Sequence, residues 1–464
     1  MFLLARFFTG ADLIWFPICF GVLFLILRSR ANRNTDPQIR KIYYRAFYFK
    51  VICVLMFTLI TELYFKGGDT SLYYQGAKDL RAAIKEDPDN FWLIPLTYKL
   101  TPQSPLFVHF YFDNYTDDVT YAYMASPTNF FPPKLALIPS LLFGGSYLCI
   151  NLCFGFFALG GAIRLFKAFH YFYPDYYREL ATACLFLPGV AFWSAGLLKD
   201  PITFGCIGFI IYALINIIFK KRAYVASFAW LLICGFFLYS IKVYILLVLV
   251  LSLMLWLFVE TNRLIKDKTL RQIFTLMCLA AGVLVGLALL NFVTTLEQAE
   301  QFQMDRLLDN VEREREGYER LAQYQNVGSN FKINASNPVL LALGGIVATF
   351  FRPFLWEVNS PIVLFSGLES LIFLLITLNF LFKRGPGKFF SVSFSDGRIV
   401  MCLVFAFVFA IAVGSATANF GTLSRYKIPC MPFYLVMVLL LYRKTNLPLP
   451  RWFDKIVNIA VPNK

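Results

Sequence analysis

The chain has 464 residues, of which 58% are hydrophobic, 18% aromatic and only 15% charged, with a mean hydropathy of +0.62. Water-soluble domains do not carry so few charges on so much apolar surface, whereas bundles of membrane helices do. The formal net charge of +15 collects in short loops between apolar runs, as the positive-inside bias expects. No basic, aromatic-interleaved domain lies outside those runs, so nucleic acid is excluded as a partner.

A membrane-crossing helix needs roughly 20 mostly apolar residues. Runs of that kind fall near 11–28, 47–65, 135–163, 180–198, 201–219, 224–240, 243–259, 272–294, 360–382, 398–416 and 428–442. They predict an all-α polytopic membrane protein of about eleven transmembrane helices, with residues 1–464 forming a single integral membrane domain. The first run leads into "LRSRANR" without a small-residue cleavage site, so it is expected to remain as a span. Arg28, Arg30, Arg33, Arg40, Lys41 and Arg45 against Asp36 place the first loop in the cytoplasm and the N-terminus outside. "FKKR" (219–222), "NRLIKDKTLR" (262–271), "FKRGPGK" (382–388) and "YRK" (442–444) fall on the cytoplasmic side too, which leaves the C-terminus there.

One stretch strains that topology. Residues 339–351, "VLLALGGIVATFF", are apolar but too short for an ordinary span and contain Gly344 and Gly345. A re-entrant or broken helix here keeps the basic loops inside, and irregular backbone at membrane depth requires protein or a wet cavity around it. Residues 66–134 and 296–338 are expected as two long extracytoplasmic loops. The first is rich in acids, prolines and aromatics and should hold short helices. In the second, Phe302, Leu307, Leu308, Val311, Tyr318 and Leu321 approximate one face of a charged helix. The sequons "NYT" (114–116) and "NAS" (334–336) lie in these loops. All ten cysteines stand in apolar stretches, and His109 and His170 are far apart. That arrangement predicts neither a disulfide framework nor a metal site.

With this topology the unusual polar segments all reach the outer side: "GGDTSLYY" (67–74), "FWSAGLLKDP" (192–201), "YSIKVY" (239–244), "RPFLWE" (352–357) and "LSRYKIP" (423–429). Each has a plain structural explanation. Gly67, Gly68 and Asp69 can be a solvated helix stop, Asp200 can cap the helix that Pro201 opens, Lys242 can mark a hairpin, and Trp356 can be an interfacial anchor. Charges at a membrane edge are costly unless paired or lining a wet cavity, so several on one side point to function. Lys199, Lys242, Arg352, Arg425 and Lys427 could hold a lipid-linked phosphate and stabilise it as a leaving group. Asp69 could take the proton of an acceptor hydroxyl. Tyr73, Tyr74 and Trp356, with Glu357 beside them, offer faces and a polar group to a sugar or acceptor.

The acid of "GGDTSLYY" after an early span, the late "SRYKIPCMPF" (424–433) and the many-span plan together resemble the GT-C superfamily of membrane glycosyltransferases. "LPGVAFWSAGLLKD" (187–200) resembles a segment of bacterial cell-surface polysaccharide membrane proteins. The resemblance implies inverting transfer of a sugar from a polyprenyl-phosphate-linked donor to a glycan, lipid or protein acceptor outside a bacterial inner membrane. It implies Asp69 as general base and Lys199, Arg352 or Arg425 near the donor phosphate; some relatives also use a divalent cation. Many have two neighbouring acids in that loop, whereas here Thr70 and Ser71 follow Asp69, and Glu62 lies seven residues earlier. Two rivals remain at this level, besides a purely structural or assembly role. One is a polysaccharide polymerase using undecaprenyl-diphosphate-linked repeats; the other is a lipid or solute transporter with 339–351 lining its path.

Overall fold

The computed structural model describes residues 10–111, 118–267, 269–273, 331, 333 and 337–462. The regular structure among them is helical. Seven of the described helices are long and apolar enough to cross a membrane, or eight if Phe420–Tyr426 and Met431–Lys444, bent by 68°, make one span. This is the architecture of a multi-pass membrane protein. The expected span at 272–294 and most of the expected loop at 296–338 lie outside the described residues. The chain divides into two compact units, Met1–Leu246 with Val457–Lys464 and Leu247–Ile456.

In the first unit, α1 (Asp12–Ala31) and α2 (Pro37–Ile60) flank the first basic loop. Asp36 accepts the Gln38 amide at 2.8 Å, and Pro37 stands in the first turn, where its missing N–H is no loss. α2 continues into a π-turn, Thr61–Phe65, and stops at Lys66, Gly67 and Gly68, all with positive φ. Asp69 then opens α3 (Asp69–Glu86), which buries Thr70, Tyr73, Tyr74, Ala77, Leu80 and Ala83 along one helical stripe. The short helices α4 (Asn90–Leu96), α5 (Phe107–Tyr111) and α6 (Asp118–Met124) follow.

Two expected spans are built differently. The run 135–163 is two helices, α7 (Pro127–Leu142) and α8 (Tyr147–Phe172), separated by Gly144 and Gly145 at φ +64° and +83°. A left-handed Gly-Gly turn interrupts the helix without lowering hydropathy. The run 180–198 is α9 (Tyr177–Leu185) and α10 (Pro188–Trp193), neither long enough to cross a bilayer. Pro188 holds Leu187 in an extended conformation, as a following proline does.

α11 (Lys199–Ile218) approaches α8 through glycine. A Cβ on Gly161 would stand 2.3 Å from the Gly205 carbonyl oxygen, and one on Gly208 2.0 Å from that of Gly161. Small residues bring membrane helices together in this way. α12 (Tyr224–Leu264) leaves helical geometry at Lys242 (φ −148°, ψ 78°), the residue at which the sequence divides its apolar run. The boundary between the units falls within α12.

The second unit contains α13 (Pro338–Phe351), α14 (Pro361–Ser393), α15 (Gly397–Ala416), α16 (Phe420–Tyr426) and α17 (Met431–Lys444). α18 (Arg451–Ala460) crosses back over the boundary. Asn337, Ser360, Asp396 and Asn419 each cap the helix that follows. Of the re-entrant or broken helix expected at 339–351, the break is corrected, because α13 runs through Gly344 and Gly345 without interruption and stays shorter than a span. Its glycine serves contact instead: a Cβ on Gly414 would stand 2.1 Å from the Gly345 carbonyl oxygen, and Thr349 Oγ1 donates to Ala410 O at 3.0 Å. The bend falls later, between α16 and α17. Every residue of α17 from Met431 to Tyr442 is buried, as befits a helix apolar all round.

Candidate functional site

The first residue of α3 carries the carboxylate singled out in the sequence. Asp69 is half-buried, and Tyr123 of α6 donates its hydroxyl to Asp69 Oδ1 at 3.0 Å. The Tyr73 hydroxyl lies 3.1 Å from that of Tyr123. The chain of contacts continues through Asn129, whose Nδ2 donates to Tyr123 O at 3.0 Å. Lys199 then donates to Asn129 Oδ1 at 2.6 Å and to Thr128 Oγ1 at 3.0 Å. Asp69 and Lys199, 130 positions apart in sequence, are thus both anchored on the Tyr123–Asn129 stretch, Asp69 by the Tyr123 hydroxyl and Lys199 by the Asn129 side chain, which bonds the Tyr123 carbonyl. A carboxylate oriented by a phenol can accept a proton, and an ammonium held on the same segment can stabilise a developing anion.

Lys199 is held by what precedes it. The turn between α10 and α11 is fixed by buried polar groups: Asn151 accepts the Leu197 amide at 2.8 Å and donates to Thr58 Oγ1 at 3.0 Å. Lys50, buried in α2, donates to Ala191 O at 2.8 Å and Ser194 Oγ at 2.7 Å. Gly196 is required in this turn, since a Cβ there would fall 1.9 Å from the Phe57 ring.

Asp200 does not cap α11, as the sequence suggested, because the N-cap is Leu198 and makes no side-chain bond. Its carboxylate instead receives Lys242 Nζ at 2.7 Å, with the acid side chain at 0% exposure and the lysine at 10%. The ammonium expected at a donor phosphate is therefore ion-paired inside the unit. Of the aromatic platforms, Tyr73 and Tyr74 are 1% and 7% exposed because both lie on the inner stripe of α3. Neither presents a face for stacking. Tyr74 donates to Gly145 O at 2.9 Å, and burial pushes its phenol up to about 12, which keeps it a neutral donor.

The second unit has its own polar knot. Arg352, at the end of α13, forms a forked pair with Glu357: Nε lies 3.0 Å from Oε1 and 3.1 Å from Oε2, and Nη2 also bonds Oε1. Its guanidinium covers the rings of Phe331 and Phe420 at 4.8 and 5.3 Å. Lys427 is buried and donates to Ser370 Oγ at 3.0 Å and Arg352 O at 3.4 Å. Arg425 is half-exposed, with its guanidinium over the Tyr426 ring at 5.9 Å. Trp356 is 82% exposed and stacks on Phe354. Asp69, Lys199 and Lys242 thus belong to the first unit, and Arg352, Trp356, Glu357, Arg425 and Lys427 to the second.

No family model, curated protein or solved structure matches this chain. Among the described residues no group of three or more His, Cys, Asp or Glu could hold a metal ion.

Tyr123, Thr128 and Asn129 were not legible as functional in "YAYMASPTNF" (121–130), an unremarkable turn. The one available signal is the run of side-chain donors between two predicted helices, which any capped loop shares.

Proposed function

We propose that this chain is a GT-C-like glycosyltransferase of about eleven spans in a bacterial inner membrane, with its N-terminus outside and its C-terminus in the cytoplasm. It transfers a sugar from a polyprenyl-phosphate-linked donor to a glycan, lipid or protein acceptor on the extracytoplasmic side. The observation that carries this reading is the anchoring of Asp69 and Lys199 on one short stretch, by the Tyr123 hydroxyl and by the Asn129 side chain. Asp69 accepts the proton of the acceptor hydroxyl as its oxygen attacks the anomeric carbon. The bond from that carbon to the phosphate oxygen breaks, and the charge left on the lipid phosphate is stabilised at Lys199.

The test is transfer from labelled polyprenyl-phosphate sugars by wild-type protein and by Asp69→Asn. Loss of about 100-fold or more in rate is expected for a missing general base. Equal activity in both removes Asp69 from that role. Turnover of diphosphate-linked oligosaccharide, but not of monosaccharide-phosphate lipid, replaces this reading with a polymerase.

A further inference from the structure

α11 is 20 residues long, about 30 Å at 1.5 Å per residue. Lys199 opens it at the Asp69 end, and Lys220 stands just past its other end. There, positive charges gather without a carboxylate among their described partners. The Arg164 guanidinium of α8 lies 3.8 Å over the Phe209 ring and 5.6 Å from that of Trp230, and Nη1 donates to Gly160 O at 3.0 Å. Lys167 Nζ is 5.3 Å from the Tyr43 ring centre. Lys220 Nζ is 4.6 Å from the ring of Tyr212, 4.8 Å from that of Tyr171 and 3.5 Å from the Tyr212 hydroxyl. Arg30, near the end of α1, adds its charge to those of Arg164 and Lys167. Asp36 acts on His170 nearby, but its side chain caps α2.

Ordinary interfacial cations stand at helix ends and reach outward. Arg164 is instead eight residues before the end of α8, about 12 Å inside it, and half-buried. A second observation points the same way. Tyr43 is 1% exposed and its hydroxyl has no hydrogen-bond partner, although it lies within electrostatic reach of Arg164 and Tyr212. An unmet buried hydroxyl is destabilising, and mutually repelling cations add to that cost. A phosphate group accepting from Tyr43, Arg164 and Lys167 would relieve both.

We propose that Arg164, Lys167 and Lys220, with the Tyr43 hydroxyl, bind the phosphate of an anionic lipid headgroup. Lipid is favoured over soluble phosphate because the cluster lies between membrane-crossing helices and is walled by Phe209, Tyr171 and Trp230. Basic sites between such helices take anionic headgroups. The site is independent of the Asp69 chemistry, and either can fail alone.

Delipidated protein in neutral detergent is titrated with phosphatidylglycerol, phosphatidylcholine or inorganic phosphate. Thermal unfolding and lipid retained in native mass spectrometry are read. Wild type should gain several degrees with phosphatidylglycerol only and should keep the lipid. Tyr43→Phe, which removes only an unpartnered hydroxyl, should unfold at the wild-type temperature without lipid and bind roughly three- to tenfold more weakly. Lys167→Gln with Lys220→Gln should abolish the gain, whereas Lys41→Gln, on the exposed face of α2, should not. The proposal is overturned if both cluster variants bind as wild type does. It is also overturned if Lys41→Gln loses the lipid equally, if phosphatidylcholine stabilises as well, or if millimolar inorganic phosphate gives the whole shift.

Discussion

Tyr123 decides how the Asp69 carboxylate is presented, and it does so with one hydroxyl. Tyr123→Phe keeps the ring that packs 5.6 Å from Tyr73 and removes the bond to Asp69 Oδ1. Under the proposed chemistry, transfer should fall by about tenfold with little change in unfolding temperature, since a single part-buried hydrogen bond contributes about 1 kcal/mol. A rate equal to wild type would show that the phenol does not position the acid. Asp69 was legible in the sequence because an acid after a Gly-Gly stop in a greasy chain is conspicuous. Its partner Tyr123 was not, because that hydroxyl reaches it only through the folding of α6 against α3. The same limit hid the fate of Lys242. A lone lysine dividing an apolar run could be seen, but not the buried Asp200 that neutralises it.

At the scale of elements, glycine position separates what hydropathy can detect from what it cannot. Gly144–Gly145 turns the chain, Gly344–Gly345 does not, and both pairs read alike in sequence. The difference is backbone conformation: Gly144 and Gly145 take positive φ, whereas α13 continues through Gly344 and Gly345. Within helices, Gly414 meets the Gly345 backbone, whereas Gly235 in α12 has nothing within 4 Å. Gly414→Ala should therefore destabilise the protein by about 1–3 kcal/mol through overpacking. Gly235→Ala should stabilise it by roughly 0.5–1 kcal/mol, as helix propensity predicts. Thermal unfolding of both variants in one detergent measures the contrast, and destabilisation of similar size by both would refute the contact argument. Pro188 and the glycine turns also explain why two apolar runs that suggested single spans each became a pair of helices.

At the scale of the whole molecule, the proposed orientation makes a direct demand on accessibility. Single cysteines replacing exposed Lys66 and Trp356 should react with a membrane-impermeant maleimide added to intact cells. Cysteines replacing exposed Lys41 and Lys388 should react only after permeabilisation. Reaction of position 356 from the same side as 388 would end the idea that the polar segments share one face. Background should be low, since eight of the nine described native cysteines are buried and Cys153 is half-buried.

Composition alone determined that this chain is a helical, multi-pass membrane protein, because long apolar runs have no other way to satisfy their backbone in lipid. It also marked the acid and the cations that membrane burial makes expensive. Only tertiary structure decided which charges neutralise each other, which glycines turn and which pack, and which distant hydroxyl and amide hold Asp69 and Lys199. Those outcomes depend on contacts between residues far apart in the chain, and local periodicity carries no record of them.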